Sequence, residues 1–273
     1  MPPSGDFNFL LYENNPQYEG FYTFPTVYLR HPDGTAEGLP AYQNGNYLVN
    51  TNTYGTRWMK LWYWTIYIIV LFLWQNRLTF WQSPHGDYDH MGEAVNLVNN
   101  FKVEKVVFNV GEYNKLEIDL IKILDKKKIK YYKGLKKLSI DKYKLQFLNT
   151  KVYDNENDNS NVIYFNYNNY KFLFMGDAGV KREKDILDKY NLKDIDFFKV
   201  GHHGSNTSSS KEFIESINPK YSLISVGKNN RYGHPNEEIL DNLSKSKIYR
   251  TDIDGSIEIK LNKNGYNIRT FGL

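Results

Sequence analysis

The residues best equipped for chemistry gather in one short run, SPHGDYDHMGE, which carries His85, Asp87, Asp89 and His90 within six positions. The i, i+2, i+4, i+5 spacing on a tight loop lets four side chains converge without any one blocking another. Imidazoles and carboxylates together suit zinc, manganese or iron, with added carboxylate favouring harder ions; the alternative is a solvated acidic turn. FLFMGDA (172–178) runs an apolar strand into Gly176-Asp177. An aspartate leaving a buried strand end is a common bridging ligand, although strand–Gly–Asp is also an ordinary turn. KVGHHGSNTSSS (199–210) ends another strand in His202-His203. The Ser/Thr run after it can cap a helix near Ser208–Ser210 and offer N–H groups to an anion, with Ser205 at its head. VGKNNRYGHP (226–235) adds Lys228 and Arg231 as phosphate contacts, and His234. A His-Pro pair is more often structural than catalytic.

The elements that must hold these groups read as alternating strands and helices. Strands are expected at 103–110, 144–153, 161–167, 170–175, 196–201 and 221–227. Asn168-Asn169 supplies a two-residue hairpin turn. Helices are expected after Gly92 and at 112–128, where Leu116, Leu120, Ile121 and Leu124 keep helical spacing. Others follow at 180–190, near 210–217 and at 236–246, the last with Pro235 just before it. KIYRT, GSIEIKL and GYNIRTF end the chain as three strands. Such alternation, with hairpins, defines an α/β class with mixed sheets. Five of the six histidines lie between 85 and 234, at strand-to-helix junctions, where catalytic groups usually sit.

Composition narrows the chemistry. The chain has 273 residues, 41% of them hydrophobic, ample for a substantial core. It has no cysteine, which removes disulfide frameworks, thiolate catalysis and Cys-ligated zinc or iron–sulfur sites. The net charge of +4 is unevenly placed: residues 1–84 carry four basic and five acidic groups, residues 85–273 carry 31 and 26. All five Trp and seven of nine Pro precede residue 85. This divides the chain into an atypical N-terminal segment, 1–84, and a candidate catalytic domain, 85–273. Residues 1–45 carry turn signals (NNPQ, HPDG, QNGN) and read as loop, short strands or disorder. No signal peptide is recognisable at the start. The uncharged stretch LWYWTIYIIVLFLWQN (61–76) falls short of the about 20 residues that span a bilayer, yet its aromatic ends resemble an interfacial belt. It is either a membrane-associated segment or part of a soluble core. Lysines 126, 127, 128, 130, 133, 136 and 137 form the strongest positive stretch and read as a solvated helix end and loop.

The order H-x-D-x-D-H, strand–GDA, strand–HHGS, GKNN-x-YGHP and RTDIDGSIEI over about 83–273 resembles the metallo-β-lactamase-fold domain of ComEC-type DNA-uptake competence proteins. The resemblance implies an αβ/βα four-layer sandwich, its N-terminal strands atypical or missing, with one or two divalent metals, zinc or manganese, at the sheet edges. It makes His85, Asp87, Asp89, His90 and Asp177 metal-site positions, completed by His202 or His203. NDNSNVI (157–163) stands where many hydrolases of this fold carry another metal-binding His, and Asp158, Asn159 or Ser160 would supply an oxygen there. The Asp-Thr-Gly turn of the family has only a faint echo in NYLVNTNTYG (46–55), with Asn50 in the Asp position.

The function that follows is a metal-dependent phosphodiesterase with DNA as substrate, linked to DNA uptake. Metal coordination lowers the pKa of water from 15.7 towards ~7. His85, Asp87 and Asp177 would hold one metal, and Asp89, His90, Asp177 and one of His202/His203 the other. Asp89, His203 and His234 are the candidate catalytic groups, a histidine protonating the leaving oxygen. Ser205, Lys228 and Arg231 would contact phosphate. Two other readings stand beside it: a hydrolase of a small ester, lactone or phosphoester on the same fold, and a non-catalytic remnant or DNA-binding module. A competence-type protein would be membrane-associated or extracytoplasmic, and otherwise cytoplasmic.

Overall fold

Side chains on a strand point alternately to opposite faces, and in this chain both faces of the central strands are apolar. The computed structural model describes residues 7–11, 28–30, 36–38, 77–78, 81–82, 85–92, 94–100, 102–140, 143–148, 151–262 and 265–271. Its first half runs β1 (Phe7–Leu11), β2 (Tyr28–Arg30), β3 (Ala36–Gly38), β4 (Arg77–Leu78), β5 (Trp81–Gln82), α1 (Tyr88–Met91), α2 (Ala94–Asn100), β6 (Lys102–Val103), β7 (Lys105–Phe108), α3 (Lys115–Lys127), β8 (Lys130–Lys133), β9 (Lys137–Ile140) and β10 (Tyr143–Phe147). The second half runs β11 (Ile163–Tyr167), β12 (Tyr170–Phe174), α4 (Val180–Lys189), β13 (Phe197–Lys199), α5 (Lys211–Ile217), β14 (Tyr221–Ile224), α6 (Glu237–Asn242), β15 (Lys247–Arg250), α7 (Thr251–Asp254), β16 (Ser256–Asn262) and β17 (Gly265–Phe271).

A seven-stranded mixed sheet, β15-β14-β13-β12-β11-β10-β9, forms one central layer. Its strands from β12 to β15 are parallel, and those from β9 to β12 antiparallel. Facing it are shorter ladders: β5-β7-β8 parallel, β1-β16-β17 antiparallel, and β4 beside β6. Alternation sorts the core. Phe172 and Phe174 of β12, Phe197 of β13 and Leu223 of β14 meet Val107, Ile257, Ile259 and Leu261 between the sheets. Leu173, Phe198 and Ile224, one residue out of phase, pack outward against Ile186 of α4, Phe213 of α5 and Ile239 of α6. On the opposite side Val106 and Phe108 of β7 cover Leu97 of α2 and Leu120 and Leu124 of α3. Helix, sheet, sheet and helix are thus the four layers of an αβ/βα sandwich.

Local signals place the elements. Asn168 and Asn169 both adopt positive φ, 50° and 67°, as a two-residue hairpin turn demands, and β11 pairs β12 in register across them. Asn114 and Glu117 form a reciprocal capping box that starts α3. Two expectations are corrected. The lysine-rich stretch is not helix end and loop throughout: Lys130–Lys133 and Lys137–Ile140 are strands, with Leu138 of the second facing the core while Lys130, Lys133 and Lys137 stay exposed. The strand expected over 144–153 ends at Phe147. Strands on the two sides of residue 84 share ladders, since β1 pairs β16, β4 pairs β6 and β5 pairs β7. Residues 46–55 and 61–76 lie outside the described residues. Among the described residues no helix is long and apolar enough to cross a membrane.

Phe172, fully buried, stacks on Phe165 at 4.6 Å and Phe197 at 4.7 Å between the sheets. Phe172→Ala is expected to cost about 3–5 kcal/mol, read as a lowered urea midpoint. An unchanged midpoint would mean that the inter-sheet core does not carry the fold.

Candidate metal centre

The histidines and aspartates come together because their loops all leave the same edge. Asp177 follows β12, His202 and His203 follow β13, and His234 follows β14, the carboxyl ends of neighbouring parallel strands. His85 follows β5, and His90 rides on α1. In open α/β sheets ligands bind outside the carboxyl ends of the strands, and here that edge is lined with imidazoles.

Asp177 is the centre of the cluster. His90 Nε2 lies 3.3 Å, His85 Nε2 3.4 Å and His202 Nε2 3.8 Å from its Oδ2. One ligand atom each from His85, His90 and Asp177 lie within 4.8 Å of one another, all three residues buried. The other oxygen, Asp177 Oδ1, is buried without a hydrogen-bond partner among the described residues. Two imidazoles and a carboxylate turned inward in this way are a donor set that fits a divalent cation.

Burial would raise the Asp177 carboxyl, but His90 and His85 outweigh it and hold it well below the ordinary carboxylate range. Burial would likewise lower His85, yet the Asp177 and Asp87 carboxylates carry it up to about 10. Burial brings His203 down to about 4, so its ring is neutral. With Nδ1 2.8 Å from the Ser225 carbonyl, Nδ1–H is the donor and Nε2 keeps its lone pair. His203 stacks beside His90 at 6.1 Å between ring centroids.

A set of supporting groups fixes these side chains. Asp87 is half exposed and sits 3.4 Å from His85 Nδ1, on the nitrogen turned away from Asp177. Thr207 Oγ1 lies 3.0 Å from His202 Nδ1 and 3.0 Å from Ser205 Oγ. Ser160 Oγ accepts the Asp177 backbone N–H at 3.0 Å. Asn159 spends both ends of its amide on the Tyr153 backbone, and Asp158 Oδ1 accepts the Gly179 N–H. Gly86 is clamped from two sides, its carbonyl accepting from Asn114 Nδ2 at 2.5 Å and its N–H reaching Glu156 Oε1 at 3.4 Å. A Cβ there would come within 2.8 Å of Glu117 Oε2 and closer still to Asn114, so a larger residue would push both side chains out of the cap of α3. His202 and His203 have φ of 45° and 55°, a left-handed pair costing about 1–2 kcal/mol per residue. The turn is held there by His202 N–H on the Gly176 carbonyl and Ser208 Oγ on the Gly201 carbonyl.

Of the sequence candidates, His85, His90, Asp177 and His202 converge, with His203 adjoining through His90. Asp87 touches the group from outside. Asp89 lies in α1, and its side chain is outside the described residues. His234 stands 6.1 Å from the His202 ring. Ser205 faces inward to Thr207, while Lys228 and Arg231 are exposed on the loop after β14. Sequence reading missed Thr207, Asn114 and Lys199. Lys199 shares the inner face of β13 with Phe197 and is buried, its ammonium donating to the Val200 carbonyl at 2.6 Å. Burial pushes it down to about 7 against the nearby Asp177 charge. A lysine two residues beyond an inward-facing Phe was the available signal.

Residues 85–228 match the Metallo-beta-lactamase superfamily, and the chain belongs to that superfamily. Within it the chain is similar to competence proteins. It is 30% identical over 183 residues to ComE operon protein 3 of Bacillus subtilis, covering 64% of this chain and 24% of that protein. It is 37% identical over 97 residues to Competence protein ComA of Neisseria gonorrhoeae, covering 34% of this chain and 14% of that protein. It is 31% identical over 106 residues to Recombination protein 2 of Haemophilus influenzae, covering 38% and 13%. The chain thus spans about a quarter of the first relative and less of the others. A solved mutant of CmlA beta-hydroxylase superposes with a TM-score of 0.50 at 11% identity, over 96% of this chain and 55% of that one, a likeness of fold.

Lys199 yields a pH prediction. The unfolded lysine keeps its proton to about 10.4, whereas the folded one releases it from about 7 upward. Between those values the unfolded state binds more protons, so this residue makes stability rise with pH. Lys199→Met removes that rise. The mutant's advantage in urea midpoint over the wild type is therefore expected to shrink between pH 7 and pH 9.5; a constant difference would show that Lys199 is not buried as a charge-sensitive amine.

Proposed function

We propose that this protein is a divalent-metal-dependent phosphodiesterase acting on DNA, with zinc or manganese as its metal. The observation that carries the proposal is the convergence of His85, His90 and His202 on the buried Asp177 carboxylate at the carboxyl edge of the sheet. Those four residues hold the cation, with Asp89 and His203 completing the set. When bound, the metal lowers the pKa of a water and polarises a phosphoryl oxygen.

The chain's own groups do the positioning. Asp87 orients the His85 ring through Nδ1, and the Ser225 carbonyl does the same for His203, as carboxylates and carbonyls behind metal-binding histidines do. Thr207, itself held by Ser205, steers His202. Burial, with the neighbouring His202, keeps His234 below its ordinary value and favours its neutral imidazole. Lys228 and Arg231, exposed on the same loop as His234, offer cations to the strand being cut.

DNA is favoured as substrate by the similarity to competence and recombination proteins and by the excess of 31 basic over 26 acidic residues in 85–273. A place at or beyond the cytoplasmic membrane goes with that substrate.

The test is a cleavage assay on metal-stripped protein with Mn²⁺, Mg²⁺ or Zn²⁺ restored singly. Single- and double-stranded DNA run beside a small chromogenic phosphodiester. Restored DNA cleavage is expected. Asp177→Ala should abolish it by more than about a hundredfold, since a lost ligand exceeds the 10–100-fold typical of a lost orienting partner. Cleavage of the small diester alone would move the substrate to small phosphoesters. Full activity in Asp177→Ala would remove the metal centre from the mechanism.

A further inference from the structure

Large aromatic side chains are normally covered, and Tyr232 is not: it is 60% exposed on the loop after β14. The loop beneath it is built rather than loose. Asn230 alone makes four hydrogen bonds within it, Nδ2 to the Gly227 and His234 carbonyls and Oδ1 from the Tyr232 and His234 N–H groups. Pro235 anchors its far end, packed so closely on Gly204 that a Cβ there would stand 2.6 Å from Pro235 Cβ. At Gly233, between the two rings, no residue other than its chain neighbours comes within 4 Å of where a Cβ would be.

The ring also has a direction. His234 lies nearly parallel to Tyr232, 18° and 5.8 Å away, and His202 lies 6.1 Å beyond His234. His202 in turn reaches the Asp177 carboxylate at 3.8 Å. The two ring-to-ring steps put Tyr232 within about 12 Å of His202, at most roughly three to four nucleotides at the ~3.4 Å spacing of a stacked strand. Arg231 sits over Tyr232 with its guanidinium carbon 4.8 Å from the ring centre, and its Nη2 donates to the Tyr232 hydroxyl at 2.6 Å. Lys228 is exposed on the same loop.

Resting on the phosphodiesterase reading, we infer that Tyr232 is a base-stacking platform for a single-stranded nucleic acid whose backbone runs from the Asp177 cluster past His202 and His234. A nucleobase stacks on Tyr232, and Arg231 swings from the ring to the phosphate of that nucleotide. An exposed aromatic flanked by exposed cations is the combination that grips single strands without reading their sequence. Because Asn230 fixes the backbone that carries the ring, little ordering of the loop is needed when the base arrives.

The test uses the full metal-loaded chain and a fluorescent oligothymidylate with phosphorothioate linkages, which resists hydrolysis, beside an abasic oligomer of equal length. Tyr232→Ala is expected to weaken oligothymidylate binding roughly tenfold, the scale of one lost base–aromatic stack. Tyr232→Phe should bind as the wild type does, and the abasic oligomer should be indifferent to either change. Unchanged oligothymidylate binding by Tyr232→Ala, equal loss on the abasic oligomer, or no binding of oligothymidylate by the wild type would each overturn the platform. DNA cleavage in the same preparations separates the two ideas. Cleavage without any Tyr232 dependence removes the platform and keeps the phosphodiesterase. Tyr232-dependent binding without cleavage keeps the platform and removes the phosphodiesterase.

Discussion

Asp177 sets the terms for everything at the carboxyl edge of the sheet. Its carboxylate is 2% exposed, and an isolated charge so placed costs several kcal/mol unless positive charge or donors surround it. The chain answers with imidazoles from two separate segments, His85 and His90 at α1 and His202 after β13, all directed at one oxygen. His90 lies 87 residues from Asp177 and 112 from His202, so no local preference assembles them. The four-layer fold does, by bringing the ends of β5, β12 and β13 to one rim.

The rim is stiffened by groups that never reach the centre. Ser160 holds the Asp177 backbone, Thr207 holds His202, and Asn114 both starts α3 and clamps Gly86 beside His85. The His202 N–H on the Gly176 carbonyl and Ser208 on the Gly201 carbonyl keep two adjacent histidines in left-handed backbone, a conformation that persists only where its surroundings over-determine it. Lys199 adds a buried amine behind the same carboxylate, and burial draws it towards neutrality, so the pocket tolerates one strong negative charge without fixing a second full positive one.

Much of this was legible in the residues. Apolar runs such as FLFM and DFFKV announced strands, and the Asn168-Asn169 pair announced its hairpin. The ordered motifs HGDYDH, GDA and HHGS named the members of the cluster and pointed to the competence-type branch of the superfamily. What stayed hidden depends on three-dimensional approach. Ser160 stands near the place of an expected ligand, yet its hydroxyl is spent on a backbone N–H. Asp87 looks equivalent to Asp89 in the motif, and only the fold puts it on the outer nitrogen of His85. The lysine-rich stretch from 126 hid two strands because its exposed lysines leave no alternating apolar pattern, with Leu138 the one apolar side chain there that is fully turned inward. Tyr232 was passed over since a single tyrosine in a loop carries no pattern, and its meaning lies in its exposure and in the rings that connect it to Asp177.

The central claim is that Asp177, His85 and His90 hold a divalent metal. Its most direct test is anomalous X-ray diffraction from crystals of the manganese- or zinc-loaded protein, collected at the metal's absorption edge. A peak enclosed by Asp177, His85 and His90, with His202 on its open side, is the predicted result. A fully loaded crystal whose anomalous peak lies elsewhere, or which shows none, would contradict the account.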